Sequence, residues 1–92
     1  MSDIKYVAFD VHLATISAAV IDLSGRLITQ AVFQTEASAI RDFLRGLTGK
    51  LHLTFEEGTQ AQWLFELTRP LVKQLVVSNP RENHSLKRGV SA

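Results

Sequence analysis

The chain has 92 residues, 46% of them hydrophobic and 21% charged, with no Cys and a formal net charge of +1. That size allows one domain or part of a larger one, and the composition excludes wholesale disorder. Without Cys there is no disulfide framework, thiolate metal site or cysteine nucleophile, so packing alone must hold the chain together.

No apolar run approaches the roughly 18 residues of a membrane span. Met1-Ser2-Asp3-Ile4-Lys5 lacks the basic start and apolar stretch of a signal peptide. The expectation is a cytoplasmic protein with no membrane partner. The charge is unevenly spread: residues 1–68 hold five basic and eight acidic side chains, whereas 69–92 hold five basic ones against Glu82 alone. An acidic body with a basic tail suits a polyanion partner, carboxylates gathered around a cation, or an ordinary solvated surface.

Residues 4–9 (IKYVAF) read as a first strand, apolar at both parities and so expected to be covered on both faces. Residues 15–21 and 26–33 read as two more strands, with Asp22-Leu23-Ser24-Gly25 turning between them. The three predict an antiparallel meander. Ala37, Ile40, Phe43, Leu44 and Leu47 then fall on one stripe of a helix. Thr35 is the expected N-cap, Glu36 belongs to its first turn, and Gly49 marks the exit.

Residues 51–55 (LHLTF) alternate as a fourth strand, broken by Glu56-Glu57-Gly58. Thr59 and Gln62 form a capping-box pattern for a second helix, which Pro70 should end near Arg69. Residues 74–78 (QLVVS) are a fifth strand, stopped by Asn79-Pro80. The order β-β-β-α-β-α-β predicts an α/β fold: a mixed five-stranded sheet with helices on its faces and the fourth strand parallel beside the first. Val7, Phe9, Ile16, Val20, Ile40, Phe43, Leu44, Leu64 and Val77 are the expected core.

Asp10 follows the first strand and Glu56 the fourth. If those strands are parallel neighbours, both carboxylates emerge at the carboxyl edge of the sheet, where open α/β sheets place ligands. Convergent carboxylates repel, so they need a proton or a cation between them. Mg²⁺ suits such a place because it takes hard oxygen ligands and keeps several waters. The same placement also suits two solvated turn residues. Glu57 reads as a spectator, opposite Glu56 or near a helix N-terminus. His12 reads as a surface group before a ligand, and Trp63 as a core residue before a base-stacking platform. Arg81, Lys87 and Arg88 suit either phosphate contact or a solvated tail. No Gly-rich phosphate loop or nucleophile elbow is present.

Three blocks, taken in order, carry a resemblance. Tyr6-Val7-Ala8-Phe9-Asp10-Val11-His12 with Thr15-Ile16-Ser17 is the first, and Phe55-Glu56-Glu57-Gly58-Thr59-Gln60-Ala61-Gln62-Trp63-Leu64 the second. The third is Val76-Val77-Ser78-Asn79-Pro80-Arg81-Glu82-Asn83. Together they resemble the DEDD transposases of the IS-one-ten insertion sequences, which include the Piv-type DNA invertases.

The resemblance implies an N-terminal RuvC-like domain of the RNase H fold, in which four acids bind divalent metal for DNA strand cleavage and exchange. Asp10 matches the first acid and Glu56 the second, with Mg²⁺ or Mn²⁺ as cofactor and DNA and a guide RNA as partners. The third and fourth acids belong to an Asp-x-x-Asp motif, and a C-terminal domain carries a serine nucleophile; neither occurs in these 92 residues. The expectation is therefore an N-terminal fragment: residues 1–80 a partial RuvC-like domain, residues 81–92 a basic tail, with weak metal binding and no activity alone.

Two other classes compete. Actin-like ATPases and sugar kinases begin with a similar meander and an Asp, but carry Gly and Thr or Ser soon after it. Here Val11-His12-Leu13-Ala14 follows Asp10. The third class is a non-catalytic oligomerisation or regulatory module, pairing with itself or with a full-length transposase through exposed apolar surface.

Overall fold

The computed structural model describes residues 3–79. Arg81, Lys87 and Arg88, and with them the basic tail, lie outside the described residues. The elements are β1 (Ile4–Val11), β2 (Thr15–Ile21), β3 (Leu27–Gln34), α1 (Ala37–Arg45), β4 (Lys50–Glu56), α2 (Ala61–Thr68), a short 3₁₀ turn (Arg69–Leu71) and β5 (Gln74–Ser78). They form one mixed sheet in the order β3-β2-β1-β4-β5. β1 is antiparallel to β2 and β2 to β3, while β4 is parallel to both β1 and β5. This is the α/β architecture and strand pairing expected from the pattern of periods.

The two connections β3-α1-β4 and β4-α2-β5 join parallel strands and step across the sheet in the same direction. Right-handed crossovers that step the same way put their helices on the same face. Ile40 and Leu44 of α1 and Leu64 of α2 accordingly join a single core with Val7, Phe9, Ile16, Val20, Leu51, Leu53 and Phe55. Phe43 and Val77 pack against this core half-buried. Phe9, Phe33 and Phe43 form an aromatic cluster at the β3 end, with ring centroids 5.0–6.2 Å apart.

The expectation of helices on both faces, and of a β1 covered on both sides, is corrected. β1 alternates between buried Lys5, Val7 and Phe9 and exposed Tyr6, Ala8 and Asp10. The opposite face of the sheet carries a shallow cavity of about 290 Å³ lined by Tyr6, Ala19, Ile21, His52, Thr54 and Val76. The ring of Tyr6 meets that of His52 edge-on there, at 5.3 Å.

The helix ends also differ from the local motifs. The N-cap of α1 is Glu36, without a side-chain bond, and Gly46 is the C-cap. Thr35 instead donates its hydroxyl to the carbonyl of His12 at 2.9 Å. The second helix begins two residues after Thr59, with Gln60 as N-cap and no side-chain cap, while Gln62 bonds Glu66. Trp63 is 40% exposed. α2 has only eight residues and buries a stripe of Leu64 and Thr68; Trp63, one residue before Leu64, is turned about 100° away from it. Thr68 is fully buried, and its hydroxyl donates to the Leu64 carbonyl at 2.8 Å. Pro70 sits in the 3₁₀ turn that follows α2, so the helix stops where its missing donor costs least.

The β2–β3 turn is held by one carboxylate. Asp22 Oδ1 accepts from the Ser24 amide, the Ser24 hydroxyl and the Arg26 amide at 2.9, 2.6 and 3.0 Å, and Gly25 supplies a φ of 87°. The Ser24 hydroxyl first, then the Arg26 amide, hold the Asp22 carboxyl below its usual pKa. A lowered folded-state pKa adds stability above the unfolded value and loses it as pH falls through the folded one. The protection factors of the Ser24 and Arg26 amides, taken against the intrinsic exchange rate at each pH, are expected to hold at neutral pH and to fall below the ordinary aspartate range. Unchanged protection down to pH 2 would refute the role of the charge.

Candidate functional site

The carboxyl edge of the sheet is set by β1, β4 and β5. In the parallel β1–β4 register Ala8 lies beside Thr54. Two residues further on each strand are Asp10 and Glu56, which period-two alternation places on the same face, the one the helices leave open. Both are exposed, and both line one cavity of about 550 Å³ with Val11, Thr54, Gly58 and Ser78. The two acids singled out from the sequence therefore share a wall of one cavity.

Asp10 does not follow its strand, as expected, but lies within it, opposite Ser17 of β2. The hairpin partner extends β1 to Val11, beyond the point where the apolar run ends. Glu56 is the last residue of β4. The chain beyond it is fixed by the Glu57 amide donating to the Ser78 carbonyl at 2.7 Å, which ties the ends of β4 and β5 together. Glu57 is exposed and lines the same cavity.

His12 lies closer to this edge than a stray surface group. Its Nε2 is 3.3 Å from Asp10 Oδ2, with both side chains well exposed. The loop that carries it is braced twice by Thr35, whose hydroxyl donates to His12 O and whose amide donates to Ala14 O at 2.9 Å. Thr35 and Ser78 thus shape the site through partners more than twenty positions away, which the capping pattern at Thr35 does not indicate.

The cavity is lined by three carboxylates, those of Asp10, Glu56 and Glu57, and by nearby hydroxyls, with a histidine on the Asp10 side. Hard oxygen donors of this kind fit Mg²⁺ or Mn²⁺ held mainly through water. Among the described residues no group of three or more His, Asp or Glu could hold a metal ion. Nor is any helix among them long and apolar enough to cross a membrane. The chain matches none of the family models and none of the curated proteins compared with it.

Proposed function

We propose that this chain is the N-terminal part of a DEDD-type insertion-sequence transposase, a RuvC-like domain of the RNase H fold. In this reading Asp10 and Glu56 are the first two acids of a divalent-metal site that acts on DNA phosphodiesters. The observation that supports it is that Asp10 and Glu56, 46 residues apart in sequence, line one cavity on the carboxyl edge of neighbouring parallel strands. A divalent ion bound there would supply charge stabilisation and an activated oxygen nucleophile. The two carboxylates would hold the ion's coordinated waters and orient them, and His12 would restrain Asp10 from one side. DNA is the proposed partner, with a guide RNA, and Arg81, Lys87 and Arg88 are assigned to phosphate contact.

The 92 residues contain no Asp-x-x-Asp pair. With two carboxylates, the chain is expected to bind Mn²⁺ weakly and neither to cut nor to join DNA in Mg²⁺ or Mn²⁺. Water-proton relaxation by Mn²⁺, read on the wild-type chain and on Asp10→Asn combined with Glu56→Gln, tests the site. Loss of binding in the double variant supports the assignment; equal binding by both proteins refutes it.

A further inference from the structure

Among the described residues β3 is an edge of the sheet, hydrogen-bonded to β2 alone. Edge strands expose a row of unpaired backbone donors and acceptors, and proteins usually blunt them with charge, proline, bulges or short length. β3 has eight residues, Leu-Ile-Thr-Gln-Ala-Val-Phe-Gln, with neither a charged residue nor proline among them. Leu27, Ile28 and Val32 are 51%, 44% and 69% exposed. The register irregularity against β2 lies at the Leu27 end and leaves Thr29–Gln34 regularly paired. The opposite edge, β5, has five residues and follows Lys73 directly.

We infer that β3 is a self-association edge, on which a second copy of this chain adds its own β3 antiparallel, two-fold about Gln30. Backbone groups left free along an edge are a template for another strand, and three features make that strand a copy of this one. First, the pattern around Gln30 is nearly symmetric: antiparallel pairing centred there sets Ile28 against the partner copy's Val32, twice, and Thr29 against Ala31. Apolar pairs directly opposite across strands are mutually stabilising. Second, the strand ends carry opposite charges, Arg26 before it and Glu36 after it. Antiparallel self-pairing brings each Arg26 to a diagonal position beside the other copy's Glu36, whereas parallel pairing would set like beside like. Third, a two-fold axis perpendicular to the sheet closes the contact, so the same surface serves both copies and no open fibre results. The product is a continuous ten-stranded sheet with all helices on one side. It is independent of the acidic site, which lies on the β1–β4 side of the sheet.

Sedimentation velocity of the 92-residue chain over a wide concentration range reads the association. The expected result is a monomer–dimer equilibrium that Val32→Lys and Gln30→Lys each weaken at least tenfold, with unchanged circular dichroism. Val76→Lys, also exposed (48%) but on β5, should leave it intact. Because the chain has no Cys, a single Gln30→Cys reports the register: it should form a disulfide with its own copy under mild oxidation, faster than Val32→Cys does. A wild type that stays monomeric at several hundred micromolar overturns the inference. So does a dimer broken by Val76→Lys and not by Val32→Lys, and faster cross-linking at Val32 than at Gln30 overturns the register.

Discussion

Replacement of Phe55 by alanine is expected to lower the unfolding free energy by about 3–5 kcal/mol. Phe55 is the largest fully buried side chain among the described residues, at 2% exposure. It stands on β4 between β1 and β5, facing the helices, so both strand pairings and the helical layer lose contacts when its ring is removed. Total stability of a domain this size is about 5–15 kcal/mol, so one substitution removes a large share of it. Urea unfolding followed by circular dichroism reads the change. The half-buried Phe43 provides the comparison, and its alanine variant should lose clearly less. Equal losses at the two positions would show that burial in this core is shared differently from the geometry described above.

The second large effect is expected from Gly49→Ala. Gly49 has a φ of 91° between α1 and β4, and a Cβ added there would fall on the carbonyl of Asp3. A left-handed non-glycine residue costs about 1–3 kcal/mol by itself. Here the collision adds to it, because the Asp3 carbonyl cannot move freely: it accepts the Lys50 amide at 2.7 Å. Nearby, Lys5 Nζ, on a residue only 8% exposed, is held by Asp3 Oδ2 at 2.6 Å and Thr48 O at 2.7 Å. The variant should therefore unfold at lower temperature than Gly25→Ala, where φ is similar but the added carbon meets open space. If the two alanine variants melt together, the close approach at Asp3 contributes nothing and only the backbone conformation matters.

The strands and their pairing could be read from the sequence because each is a short apolar run bounded by turn residues. A meander followed by two strand–helix alternations permits few sheets. The periods alone do not say on which side the helices lie, although the element order does: two crossovers stepping the same way share a face. Both helix starts depart from the local pattern for a different reason. Thr35 and Thr59 satisfy the local capping pattern, but Thr35 is engaged by His12 across 23 positions and α2 starts after Thr59. Trp63 lies outside its expected core position because an eight-residue helix has one narrow buried stripe, which composition does not locate. At the acidic edge, Asp10 and Glu56 were legible because strand ends in parallel neighbours converge. The bracing by Thr35 and Ser78 was not, since it depends on contacts that no spacing in the chain encodes.

The central strand gains its two neighbours on different clocks. The β1–β2 hairpin closes across a three-residue connection, Asp-free and short, between Val11 and Thr15. Such hairpins form in about 1–10 μs. The other edge of β1 waits for β4, which pairs Ile4 with Lys50 and so must close a loop of more than forty residues. By loop-closure entropy that costs about 3 kcal/mol in chain length alone. Until it is met, Val7 and Phe9 have a strand on one side and water on the other. The β1–β4 seam is thus the costlier of the two pairings in chain entropy, and it is the same seam that brings Asp10 and Glu56 to one edge, so the acids come together only when this long-range contact is made.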